Sequence, residues 1–171
     1  MKNIVDIFIS FVFKVVRGRE VSTFGGVSPS TALLYVIQRG LIPFLRGLLL
    51  KPLLFRSSGL LFIGAGVRLL TPKLLSVGKN VYIGDYCHLN CYSIGGVYLG
   101  DQVTIREFGW MQLTSHLENP GSSIYIGSQT YIGPRVILGA AADLRIGSKC
   151  QIGANVSFVA ESHKFASGSE I

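Results

Sequence analysis

Val77-Gly78-Lys79-Asn80-Val81-Tyr82-Ile83-Gly84-Asp85-Tyr86-Cys87-His88-Leu89 carries an aliphatic side chain at every sixth position, twice followed by glycine. The count restarts at Leu99, Ile105 and Met111, again at Ile126, Ile132 and Leu138, and again at Ile146, Ile152 and Phe158. Between sets the interval widens to ten, fifteen and eight residues, always after the third aliphatic. A period of six fits neither a helix nor simple strand alternation, so a tandem architecture explains it. Three short flat strands joined by tight turns close a triangular coil. Each side turns one aliphatic inward, and successive coils stack by parallel pairing about 4.8 Å apart. One corner of the triangle takes every insertion.

The fourth residue after each aliphatic also points inward, near a corner, where only a small side chain fits. Val81, Cys87, Val103, Gly109, Thr130, Val136, Cys150 and Val156 occupy that place. The glycines are expected where a side chain would collide or where φ must be positive. Upstream, Ile63-Gly64-Ala65-Gly66-Val67 and Leu69 read as an imperfect first coil, with Leu60, Leu61 and Phe62 plugging its open end. The fold class is therefore all-β, a parallel β-helix over residues 57–171 preceded by a helical segment over 1–56.

Ile83-Gly84-Asp85, Leu99-Gly100-Asp101, Ile132-Gly133-Pro134 and Ile152-Gly153-Ala154-Asn155-Val156 resemble the hexapeptide-repeat acyltransferases. That resemblance implies a left-handed β-helix; the general rule for parallel crossovers would give the right-handed form. It also implies a homotrimer with acceptor clefts between subunits, acetyl-CoA as donor, and further coils beyond Ile171 that contact coenzyme A. Ser162-His163-Lys164-Phe165 is similar to the Ser-His-x-Phe segment that carries the base in sugar O-acetyltransferases of this family. His163 is thus the expected catalytic base, and Glu161 is placed to orient its ring, since a carboxylate partner fixes an imidazole tautomer. Thr114-Ser115-His116, with Asn90 one coil earlier, is similar to another branch in which asparagine and histidine share the acceptor site. His116 and Asn90 are accordingly expected to bind substrate.

The histidine positions agree with the chemistry. A hydroxyl attacking a thioester needs a base, an oxyanion donor and alignment, and no covalent enzyme intermediate. His116 and His163 each stand five residues past the third aliphatic of their coil, so both leave at the insertion corner. His88 precedes Leu89 at a different corner and reads as a surface residue. Zinc-dependent carbonic anhydrases share this type of fold, but their close His-x4-His pair is missing, the gaps here being 28 and 47. No metal is expected.

Of the net charge of +7, residues 1–56 hold eight cations against two carboxylates, leaving the repeats near neutral. That distribution speaks against a nucleic-acid groove and for a surface meeting anionic lipid or phosphate. Residues 4–16 are strongly apolar but at 1.5 Å per residue too short to span. Residues 33–55 form a second apolar run interrupted by arginine, lysine and proline, as expected of a segment in the headgroup layer with snorkelling cations. The alternative is that these helices cover the end of the β-helix or join a subunit interface. Three cysteines form neither a disulfide framework nor a zinc ribbon, and free thiols point to a reducing compartment. Packing accounts for Cys87 and Cys150, whereas Cys91 has no evident task.

The expected function is an acetyl-CoA-dependent O-acetyltransferase acting on a sugar or lipid-linked saccharide of a polysaccharide pathway, cytoplasmic and peripheral at the inner membrane face. Two alternatives are a non-catalytic β-helical binding or assembly module and an N-acyltransferase on an amino-sugar nucleotide.

Overall fold

A computed structural model describes residues 27–114 and 116–160, together with Ile7, Ser10 and Lys14. Its strands fall into three parallel five-stranded sheets that form the sides of a prism. Sheet A holds β1 (Arg56–Ser57), β4 (Leu75–Val77), β7 (Ser93–Leu99), β10 (Gly121–Ile126) and β13 (Leu144–Ile146). Sheet B holds β2 (Leu61–Ile63), β5 (Val81–Ile83), β8 (Thr104–Ile105), β11 (Tyr131–Ile132) and β14 (Gln151–Ile152). Sheet C holds β3 (Arg68–Leu70), β6 (His88–Asn90), β9 (Trp110–Gln112), β12 (Ile137–Ala140) and β15 (Ser157–Ala160). Five coils result, one strand earlier at the start than the aliphatic spacing predicts.

The predicted aliphatics stack in register. Val77, Leu99, Ile126 and Ile146 make one column, with Ser57 at its head. Ile63, Ile83, Ile105, Ile132 and Ile152 make the second, and Leu69, Leu89, Met111, Leu138 and Phe158 the third. The columns form a continuous buried core, with Val81, Cys87, Val103 and Val136 packed into it. Burying each such side chain contributes about 1.5–3 kcal/mol, which is how strands of two or three residues persist.

Both expected uses of glycine occur: those that follow the inward aliphatics mostly serve close approach, whereas Gly66 and Gly96 take positive φ. A Cβ on Gly84 would lie 2.6 Å from the Glu107 nitrogen, and one on Gly64 would meet Asp85 of the next coil. The left-handed residue comes two places later and is usually not glycine: Asn80, Tyr86, Gln102, Phe108, Gln129, Arg135, Lys149 and Asn155 all have φ near +60°. Side chains tolerate that conformation at a cost of about 1–2 kcal/mol. It lets the amide of each corner residue meet the coil before, as in Gln102 N–H to Lys79 O at 2.7 Å and Phe108 N–H to Asp85 O at 2.9 Å.

The second apolar run is one helix, Ser30–Leu53. It comprises α1 (Pro29–Val36), a π-helical turn (Ile37–Leu41), α2 (Ile42–Leu50) and a 3-10 turn (Lys51–Leu53). Ser28 caps it through its Oγ, which accepts from Thr31 N at 3.2 Å. Pro43 and Pro52 each sit in the first turn of a segment, where a missing N–H costs little. The helix packs on β2: Gly47 presses on the Leu61 carbonyl, and Phe44 meets Phe62 with ring centroids 6.1 Å apart. Leu60, Leu61 and Phe62 are not the plug expected of them, because Leu61 and Phe62 belong to β2; Leu54 and Leu50 join the head of the core instead.

Arg39 also departs from expectation. It turns inward and not toward solvent, donating to Tyr82 Oη at 3.0 Å and pairing with Glu107 at 2.9 Å. Arg106 holds the other Glu107 oxygen at 2.8 Å and donates to Tyr131 Oη at 3.1 Å. Burial works to raise the Glu107 pKa, but hydrogen bonds from its own backbone, Arg106 and Arg39 outweigh it and hold the carboxyl below the ordinary value of 4.5.

Two outcomes follow. Gly84→Ala should cost about 1–3 kcal/mol, whereas Gly139→Ala, whose Cβ meets nothing nearer than 3.8 Å, should stay within about 0.5 kcal/mol of wild type in thermal melts. Because the Glu107 pKa is depressed on folding, its contribution is present at neutral pH and lost as pH falls through the folded value. Glu107→Gln should therefore destabilise by about 1–2 kcal/mol at pH 7, and the difference should shrink progressively in melts taken at lower pH; a gap independent of pH would contradict the assignment.

Candidate functional site at the insertion corner

Every insertion leaves between sheets C and A, and the core shows why the loops are rooted there. In three coils strand alternation continues two residues past the third aliphatic, so that Cys91, Leu113 and Ala140 turn back inward and are buried. Gly121 closes the base of the longest loop, where a Cβ would meet the carbonyls of Leu113 and Ala140. Strands β7 and β10 pair from Ser93 and Gly121 onward, with a register shift between Gly121 and Ser123. Cys91 thus has a packing role that the spacing alone did not reveal. Burial pushes its thiol up to about 12 and that of Cys87 to about 11, so neither is a thiolate nucleophile near neutral pH.

Between these inward residues, the outward positions form a ladder on the wall of sheet C. Asn90 pairs with Gln112, Gln112 with Gly139 and Gly139 with Val159. Gly139 needs neither positive φ nor close approach, since a Cβ there meets only ordinary contacts with Phe158 and Val159. It leaves a notch between Gln112 and Val159.

Asn90 reaches the loop that carries His116. Its Nδ2 donates to Thr114 O at 3.2 Å and its Oδ1 accepts from Tyr92 N at 3.2 Å. Tyr92 Oη donates to Leu117 O at 2.9 Å. Within the loop Thr114 Oγ1 accepts from His116 N at 3.1 Å and donates to Asn119 O at 2.8 Å. The backbone of His116 is thereby held from three sides of its turn while the residue itself stays exposed. Asn90 spends both ends of its amide on this brace, which makes it a positioning residue for the loop in the structure as it stands.

His163 and Glu161, the expected base and its partner, lie outside the described residues. The last described strand, β15, ends at Ala160, one residue before Glu161, and the Ala160 carbonyl accepts from Ala142 N at 2.9 Å. Met111, Leu138 and Phe158 are in register, so the loops of coils three and five start from one corner, two coils or about 10 Å apart. His88 is elsewhere, half-buried on the outer face of sheet C and stacked on Trp110 with centroids 6.3 Å apart. Among the described residues no three His, Cys, Asp or Glu side chains converge as a metal ion requires.

Tyr92, Gln112 and Gly139 are additions that the repeat did not single out. Their signal is the alternation that carries past each third aliphatic: residues 90, 112, 139 and 159 share one phase. Neither a scan against protein-family models nor a search of curated proteins finds a match to this chain.

Asn90→Ala should release the loop and leave the prism intact. The expected result is several-fold faster amide exchange at Tyr92 and in residues 114–119, from the loss of about 1 kcal/mol per hydrogen bond, with amides of the strand core unchanged. Wild-type exchange in the loop would show that Asn90 does not brace it.

Proposed function

We propose that this chain is an acetyl-CoA-dependent O-acetyltransferase acting on a saccharide, with His163 as general base and Glu161 orienting it. The observation that carries this reading is the convergence on one corner. Asn90, Gln112, Gly139 and Val159 are in register there, the braced loop with the exposed His116 leaves from the same corner, and β15 ends one residue before Glu161.

Acetyl-CoA, when bound, supplies the activated acyl carbonyl. The chain's own part is to bind, align and move a proton. His163 takes the proton of the sugar hydroxyl as its oxygen attacks; the new C–O bond forms, the C–S bond breaks and the proton returns to the departing thiolate. His116 holds the acceptor from two coils away, and Gly139 leaves room for the sugar ring between them. Protonated Cys87 and Cys91 offer no acyl-enzyme route, in keeping with direct transfer. In this reading the protein is a homotrimer on the cytoplasmic side of a membrane, with the acceptor a lipid-linked saccharide.

The test is release of coenzyme A by the full chain with saccharide acceptors. His163→Ala should lower kcat about 100-fold or more. His116→Ala should mainly raise KM for the acceptor, and Gly139→Leu should impair acceptor use without lowering the melting temperature. Near-normal turnover by His163→Ala removes the assigned base. Absence of both turnover and any thermal shift with coenzyme A rejects acyl transfer altogether.

A further inference from the structure

The Ser30–Leu53 helix is inside out. Its docked side carries Ala32, Arg39, Pro43, Gly47 and Leu50, at spacings built from three and four, and of its three cations Arg39 is the one paired with the protein. The opposite side carries Leu34, Leu41, Ile42, Leu45, Leu48 and Leu49, all exposed, with Leu49 at 78%. Phe55, at 75%, extends the patch beyond the helix. A helix on a water-soluble body has the reverse order, with leucines inward and cations out. So continuous an apolar stripe requires an apolar partner.

Charge decides which partner. Residues 27–56 contain Arg39, Arg46, Lys51 and Arg56 and no Asp or Glu. Glu107 occupies Arg39, while Arg46, Lys51 and Arg56 form no ion pair among the described residues. Leucines flanked by unpaired cations match a bilayer with anionic head groups. A second copy packed on the same face would bring like charges together with no carboxylate opposite. At 24 residues, or about 36 Å, the helix is long enough to cross a membrane. Crossing would drag Tyr82, Asp85 and Glu107, which Arg39 holds against it, into hydrocarbon together with Arg106, which pairs with Glu107.

We propose that this helix is an in-plane membrane anchor: its leucine face lies at the headgroup boundary of an anionic bilayer, Arg46, Lys51 and Arg56 meet the phosphates, and Arg39 couples it to the β-helix. The helix rests on the sheet B side of the prism through Phe62 and Tyr82, and the corner between sheets C and A lies opposite that side. The bilayer therefore lies beneath sheet B, and the His116 loop projects away from it. The inference does not depend on acyl transfer.

The experiment is sedimentation of the full chain with vesicles of phosphatidylcholine alone and of phosphatidylcholine with one quarter phosphatidylglycerol. Wild type should partition at least tenfold more strongly onto the anionic vesicles and be released by alkaline carbonate. Leu45→Glu with Leu49→Glu should lower that partition tenfold or more. Arg46→Glu with Lys51→Glu, which leaves the apolar face untouched and serves if the first pair fails to fold, should lower it by tenfold or more on anionic vesicles only. Wild-type partition by both pairs overturns the anchor. Resistance to carbonate makes the helix a spanning one. Conversion of an oligomer to a monomer by the glutamates, with vesicle binding unchanged, assigns the face to a second copy.

Discussion

At six of its turns this protein brings one coil so close to the next that no Cβ fits. Gly64, Gly78, Gly84, Gly100, Gly127 and Gly133 would each put an added carbon within 3 Å of the following coil. That approach permits the corner amides to bond from coil to coil and keeps three sheets in one register from Arg56 to Ala160. The aliphatic columns contribute the larger free energy, but the corners set the spacing at which the columns meet. Without the glycines the same isoleucines and leucines would have nothing to align them.

The same constraint creates the site. Two corners of the triangle are tight turns with a left-handed residue and take no extra chain. The third is looser, because strand alternation runs on to Cys91, Leu113 and Ala140 before the chain leaves. Insertions of different length can be added there without disturbing the columns. Loops that are distant in sequence emerge stacked along one edge, at an axial rise set by parallel pairing. A repeat fold thus brings chemistry together by register, where an irregular fold would need long-range packing.

The helix uses a different kind of contact. Arg39 reaches two coils of the prism at once, Tyr82 and Asp85 in the second and Glu107 in the third. Arg106 supports the same carboxylate from the adjoining position at that corner, so the cluster is a network and not a lone surface pair. Its consequence is orientational. By holding the cationic side of the helix against the β-helix, it leaves the leucine side facing outward, and this fixes which side of the prism meets a membrane in the anchor we propose.

The amino-acid sequence by itself determined the columns. A period of six, repeated with an inward residue every time, has one packing solution, and Leu89, Met111, Leu138 and Phe158 fall into register as counted. The insertion corner was equally legible, since Asn90 and His116 are placed there by counting from Leu89 and Met111. Only the tertiary structure decided what those residues do locally: the Asn90 Nδ2 binds the His116 loop through the Thr114 carbonyl while its Oδ1 holds Tyr92 N of its own turn, and the first of these is a contact between coils that no local pattern encodes. The inward turn of Arg39 was invisible for the same reason. Its partner Glu107 lies 68 residues away on a repeat with no helical period, and a cation within a leucine-rich run reads as exposed until the surface it docks on is known. Short-range periodicity fixes what repeats; a contact made once, between an irregular helix and a regular prism, exists only in three dimensions.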